Sequence, residues 1–209
     1  MNNYIITIAR GFGSGGKQIG TQVAKRLGIP CYERQILTLA SEQSGLNVAM
    51  FNKVDERIKK TFWTKKLASL PFSNVLDPKD KKFESDVNLF NIQSQIIKEL
   101  AQTQSCVIIG KCADYVLSDF DNVASFYIEA PREACLKSIT EKMGVSVKEA
   151  NKIISKTDNY RADYYAYYSG GNYWTNPINY DLTINSDRVG RERSVDLIEA
   201  YVKMKFNIE

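Results

Sequence analysis

The residues with the clearest capacity for chemistry lie in "IARGFGSGGKQIG", Ile8 to Gly20. Gly11, Gly16 and Lys17 fit the spacing G-x-x-x-x-G-K. Glycine weakens helices and strands, so this density is spent where the backbone must turn unusually or approach another group closely. Gly11, Gly13, Ser14, Gly15 and Gly16 would let successive backbone N–H groups converge on phosphate oxygens. A following helix N-terminus would add partial positive charge. Lys17 would supply an ammonium that follows the β- and γ-phosphates of ATP, a catalytic role in phosphoryl transfer. Gln18, the last residue of the phosphate-binding set, stands where a hydroxyl often ligates Mg²⁺ directly. Either Ser14 assists with the metal, or the ion is held through water and the nucleotide phosphates. The plain alternative is a glycine-rich turn that binds nothing.

The flanking pattern bears on that choice. "YIITIA" (Tyr4 to Ala9) reads as a buried strand, and Ile19, Val23 and Leu27 recur at helical spacing, with Gly28 and Pro30 as a stop signal. A strand, loop, lysine and helix in that order are the context that the motif requires. A short second strand should end near Cys31 and Tyr32, followed by a helix in "RQILTLASEQ". Leu89, Ile92, Ile96, Ile97 and Leu100 mark a long amphipathic helix. "CVIIG", "VASFYIEA" and "YDLTIN" are further strands. Pro131 opens a helix, Ser146 and Glu149 have capping-box spacing, and Glu192 to Phe206 closes the chain as a helix. Alternating strands and helices imply an α/β fold, a doubly wound parallel sheet in three layers. From Lys53 to Lys82 the order weakens, and "PFSNVLDPKDKK" (Pro71 to Lys82) reads as a loop.

Composition narrows the chemistry. The chain has 209 residues, 28 basic and 24 acidic, with a formal net charge of +4. That mild excess suits an anionic small ligand and is too weak to point to nucleic acid, which asks for a concentrated basic face. There is no histidine, which removes the commonest general base and zinc ligand. Cys31, Cys106, Cys112 and Cys135 form no CxxC pair, so they read as reduced and packed. No basic-then-apolar leader or membrane-length run is present, so the expectation is a cytoplasmic protein without a membrane partner.

Further candidates sit where strands should end. Ligands of doubly wound sheets bind at the strands' carboxyl edge. Glu33 and Arg34 follow the second strand. Glu33 could read a ribose hydroxyl or base amine and Arg34 a monophosphate, or both could simply open a helix. Lys111 in "IIGKCAD" is a candidate acceptor-phosphate ligand or a plain surface lysine. Asp114 could orient substrate or a metal-bound water, or be a helix-start carboxylate, the reading preferred here. In "ANKIISKTDNYRADYYAYY", Lys152 and Lys156 share a helical face and Arg161 follows. They could be cations that stabilise transferred phosphate oxygens, or a solvated face with Arg161 paired to Asp158. Tyr160, Tyr164 and Tyr168 form a stripe better read as packing than as base stacking. Arg188, Arg191 and Arg193 read as exposed, with a nucleotide contact as the alternative.

Beyond single motifs, "GFGSGGKQIGTQVAKRLGIPCYERQIL", "CVIIGKCADYVL", "FYIEAPREACLKSI", "KTDNYRADYYAYYSG" and "NYDLTINSDRVGRE" resemble, in order, the blocks of the cytidylate-kinase-like proteins. These belong to the nucleoside monophosphate kinase group of P-loop kinases, and the resemblance spans most of the chain except Lys53 to Asp86. It implies a single P-loop kinase-like domain over 1–209, with 53–86 as a variable acceptor-side insertion and about 146–175 as a helical lid. It implies ATP and Mg²⁺, and a small-molecule nucleotide acceptor such as CMP. Lys17 and Arg161 become the catalytic pair, with Lys152, Lys156 and Arg161 carried on the lid. Glu33, Arg34 and Lys111 become the acceptor-binding residues. Members of the group commonly lack a hydroxyl directly after the loop lysine, which accommodates Gln18. Many carry threonine one residue later, where this chain has Ile19, and arginine where it has Lys111. Two other functions stay open on these departures: a non-catalytic nucleotide-binding module, and a P-loop kinase for a different small metabolite. Phe62, Trp63 and Phe72 are candidates for self-association into a homo-oligomer.

Overall fold

A computed structural model describes residues 3–51 and 86–208. The expectations placed on 53–85, which make up nearly all of the insertion and include Phe62, Trp63 and Phe72, concern residues outside the described ones. Five short strands alternate with helices: β1 (Ile5–Arg10), β2 (Cys31–Tyr32), β3 (Cys106–Ile109), β4 (Val123–Glu129) and β5 (Leu182–Asn185). They form one sheet in the order β2-β3-β1-β4-β5, and every pairing is parallel. The P-loop kinase-type doubly wound sheet expected from the sequence is thus present. All carboxyl ends point to one edge, and β1 lies between the two directions of winding, where ligand crevices open.

Strand periodicity assigns the two faces of the sheet. Ile6, Ile8, Val107, Ile109, Phe126 and Ile128 pack against Ile19 and Val23 of α1 (Gly16–Leu27) and Ile198 and Val202 of α8 (Arg191–Phe206). Ile5, Ala9, Cys106 and Ile108 face the opposite layer. That layer contains α2 (Gln35–Ser44), α3 (Asp86–Thr103) and the C-terminal end of α6 (Val147–Tyr168). The tyrosine stripe belongs to this core. The rings of Phe90 and Tyr168 stack at 3.8 Å, and Tyr164 meets Tyr168 edge-on at 4.8 Å. Tyr164 and Tyr168 are thus buried in packing contacts, with Tyr160 partly buried beside them.

Local signals set several boundaries. Gly28 ends α1 in a left-handed conformation and its N–H reaches back to Ala24 and Lys25, which satisfies carbonyls left over at the helix end. Ser146 and Glu149 form the capping box that starts α6. Between β4 and α6 lies α5 (Arg132–Met143). Its Cys135 and Ile139 meet Ala150 and Ile154 of α6 in a small separate core, with Phe12 against it. Two short helices, α4 (Ala113–Val116) and α7 (Ser186–Val189), directly follow strand ends. Both are too short to show periodicity in the sequence. Among the described residues, no helix is long and apolar enough to cross a membrane.

Candidate functional site

The glycine loop leaves β1 at Gly11 and enters α1 at Gly16. Its conformation depends on glycine at definite positions: Gly13 and Gly15 have φ of 96° and 85°. Gly15 caps α1 with no side-chain hydrogen bond, which leaves the first amides of the helix available to an anion. A Cβ at Gly11 would overlap the Glu129 carboxylate. Glu129 is held there by the Tyr127 hydroxyl, which donates at 2.5 Å, and by the Ala130 N–H at 2.9 Å. Ser14 is buried within the loop. Its hydroxyl donates to the Gly11 carbonyl at 2.9 Å and accepts from the Gly16 N–H at 3.4 Å. Touching a metal would require that hydroxyl to turn outward. From outside the loop, Ser186 donates to the Ser14 carbonyl at 2.6 Å.

The loop opens into a cleft of about 1940 Å³ that runs across the carboxyl edge of the sheet. Lys17, Gln18, Glu33, Arg34, Lys111, Lys156 and Arg161 all line it. Lys152, one turn before Lys156 on the same helical face, is exposed and does not line it. Lys17 Nζ donates to Glu33 Oε2 at 2.5 Å, and Arg10 donates to Glu33 Oε1 at 3.2 Å. Burial alone would raise the Glu33 pKa. The two cations outweigh it and hold the carboxyl below its ordinary value. Arg10 is half-buried, and desolvation, followed by the charge of Arg161, lowers its pKa to about 10, so it remains a cation at neutral pH.

Arg161 is drawn onto the loop. Its guanidinium donates to the Arg10 carbonyl at 2.8 Å and to Asp158 at 3.2 Å. Asp158 in turn accepts from the Phe12 N–H at 2.9 Å. Two side chains one turn apart on α6 thus clasp the backbone on either side of Gly11. Arg161 pairs with Asp158, and its side chain also lines the cleft. On the other side, Arg191 is exposed, as its sequence setting suggested, yet it bridges Gln18 Oε1 and Ser138 Oγ, each at 2.9 Å.

The end of β3 is strained. Gly110, Lys111 and Cys112 have φ of 74°, 64° and 53°, a left-handed run that costs non-glycine residues roughly 1–2 kcal/mol each. Gly110 is required twice, since a Cβ would also collide with the Arg10 guanidinium. Strain of this kind collects at functional sites, and here it sets Lys111 at the cleft. Asp114, in the first turn of α4, is buried and accepts from the Tyr165 hydroxyl at 2.8 Å. Burial pushes its carboxyl up to about 6. The cysteines fit the packed reading: burial raises the Cys106 and Cys135 thiols to about 12 and about 11.

Arg10, Glu129 and Asp158 complete the site without having been singled out as its members, and Arg191, whose alternative reading was a nucleotide contact, also lines the cleft. Arg10 stands directly before the first loop glycine and Glu129 ends a strand, so position relative to the strand ends was the available signal. Asp158 lies on a helix far along the chain and carries no such mark.

A parallel sheet of this order with a glycine–lysine loop after β1 defines a P-loop kinase fold. The chain belongs to the cytidylate kinase-like family, whose profile matches residues 5–188. It is similar to an uncharacterized protein from Eubacterium ventriosum at 25% identity, with a TM-score of 0.69 and coverage of 96% of this chain and 99% of that one. The fold is shared with shikimate kinase from Bacteroides thetaiotaomicron at 12% identity, with a TM-score of 0.53 and coverage of 96% and 98%. No curated protein matches the sequence. Family and fold together place the chain among proteins built for phosphoryl transfer to a small acceptor.

Proposed function

We propose that this protein transfers the γ-phosphoryl group of ATP to a nucleoside monophosphate, with CMP as the first candidate. The observation that carries this reading is the single cleft. The glycine loop and Lys17 form one wall, and Arg10, Glu33, Arg34 and Lys111 gather at the carboxyl ends of neighbouring strands to form the other. Gly13, Ser14, Gly15, Gly16 and Gln18 would wrap the β-phosphate. Lys17 would follow the transferred group, and Arg161 would offset charge on its oxygens from the other side. Glu33 would read a hydroxyl or amine of the acceptor, while Arg34 and Lys111 would take its phosphate. Lys156, above the loop on α6, supplies a further cation at the mouth, with 146–175 as the lid that excludes water. Bound Mg²⁺ would screen the phosphate charge. Held through water and the phosphates, it asks little of Ser14. No protein nucleophile is needed, because alignment and electrostatics supply the rate.

A coupled ADP-release assay with ATP and Mg²⁺ against CMP, dCMP, UMP, AMP and GMP tests the reading. Turnover with one or more of these supports it, and the preferred acceptor names the specificity. Silence across the panel with ATP binding retained would sink it. That outcome would leave a kinase for another metabolite or a nucleotide-binding module.

A further inference from the structure

The loop lysine is engaged by a carboxylate of the protein itself. Its ammonium rests on Glu33, at the end of β2, at 2.5 Å. Lys17 is largely exposed there, its side chain 62% accessible, whereas Glu33 is 20% accessible and also holds Arg10. One carboxylate therefore serves two cations, of which one is largely exposed and the other half-buried. The Arg10 guanidinium occupies the space that a Cβ at position 110 would fill, and Glu33 Oε1 accepts from it at 3.2 Å. If Lys17 leaves, Glu33 keeps a counter-charge and stays ionised in place.

From this geometry we infer that Glu33 competes with nucleotide phosphates for Lys17, so that nucleotide arrival frees a carboxylate oxygen at the acceptor edge. The inference rests on the phosphate-loop reading above. In the empty site Glu33 holds Lys17 back. Triphosphate oxygens, with more charge and the loop amides beside them, draw the ammonium across the cleft. The Oε2 oxygen it leaves then faces the cleft as an acceptor for a hydroxyl or amino group of the second substrate. Arg10 holds Oε1 throughout and fixes the carboxylate plane, which makes it a positioning residue. The two subsites are thereby coupled through one side chain, and acceptor recognition improves once nucleotide is bound. By reciprocity an acceptor that engages Glu33 also favours nucleotide.

Calorimetric titration with a non-hydrolysable ATP analogue, AMP-PNP, and separately with tripolyphosphate tests the competition. The proteins are wild type, Glu33→Gln, Lys17→Ala and the double variant. Removing the competitor should tighten both ligands by about 1.5-fold to fivefold, the range of a partly exposed ion pair. On the Lys17→Ala background the same change should have no effect. Weaker or unchanged binding in Glu33→Gln, or an equal gain without Lys17, would overturn the competition while leaving the phosphate loop standing. Failure of wild type to bind either probe would overturn the phosphate-loop reading itself, and this inference with it. Should Glu33→Gln fail to fold, Glu33→Asp preserves the charge beside Arg10 and withdraws the carboxylate by one methylene. It should then give a smaller gain in the same direction, and no gain would count against the competition.

Discussion

The two walls of the cleft are built in contrasting ways. The glycine loop is contiguous: Gly11 to Lys17 shape it by their own backbone preferences, with left-handed Gly13 and Gly15 at its turns. The acceptor edge is assembled from the ends of separate strands. Arg10 comes from β1, Glu33 from beyond β2, and Lys111 from beyond β3. The loop relies on glycine to avoid strain. The acceptor edge accepts strain, with Lys111 and Cys112 in left-handed conformations that favour glycine. A backbone that must approach phosphate needs absent side chains, whereas a wall proposed to read a second substrate presents side chains from strained positions.

Variants can break or sharpen that contrast. The largest effect is expected at Lys17. Lys17→Ala should lower kcat/KM for phosphoryl transfer by about a hundredfold or more, with the unfolding temperature unchanged. Normal kinetics in this variant would remove the loop from catalysis.

Next is Asp114, beneath the acceptor edge. Its carboxyl is raised to about 6 from an ordinary 3.8, so the folded state holds this proton more tightly than the unfolded chain does. The resulting stability is full at pH below about 4 and is lost as pH rises through about 6, about 3 kcal/mol in all. Denaturant titrations at several pH values should show that slope in wild type. Asp114→Asn, which keeps an acceptor for Tyr165, should lose it. An identical slope in both proteins would refute the assignment.

Gly11→Ala tests the loop's intolerance of side chains. The new methyl must displace the Glu129 carboxylate, and the expected cost is about 2 kcal/mol in chemical denaturation. A neutral result would mean that the loop gives way freely. The smallest effect should come from Lys111→Gly, which carries opposite signs in two measurements. Relief of a left-handed lysine should raise stability by about 1 kcal/mol, while the KM for the acceptor rises severalfold. A gain in stability with an unchanged KM would return Lys111 to the status of a surface lysine.

Legibility followed the same division. The loop, the strands and the α6 cap could be read because their causes are local. Glycine tolerates positive φ, β-branched runs alternate, and Ser146 lies three residues before Glu149. The parallel sheet followed from the alternation of elements. Lys152 and Lys156 looked equivalent at four-residue spacing, yet only Lys156 reaches the cleft. One helical face is wide enough that the hairpin with α5 decides which part of it meets the site. Asp114 read as a helix-start carboxylate, and it does open α4. Its burial and its bond to Tyr165 depend on α6 packing across the sheet.

The sequence by itself determined that a backbone cradle for phosphate sits between a buried strand and a helix, because those preferences act over a few neighbouring residues. Only the tertiary structure decided what that cradle faces. Strand order sets β3 beside β1, and α6 brings Asp158 and Arg161 onto the backbone around Gly11. Lys17 is thereby set against Glu33 with Arg10 behind it. Those contacts join residues far apart in the chain, and charge and hydrogen bonding between them depend on distance in space.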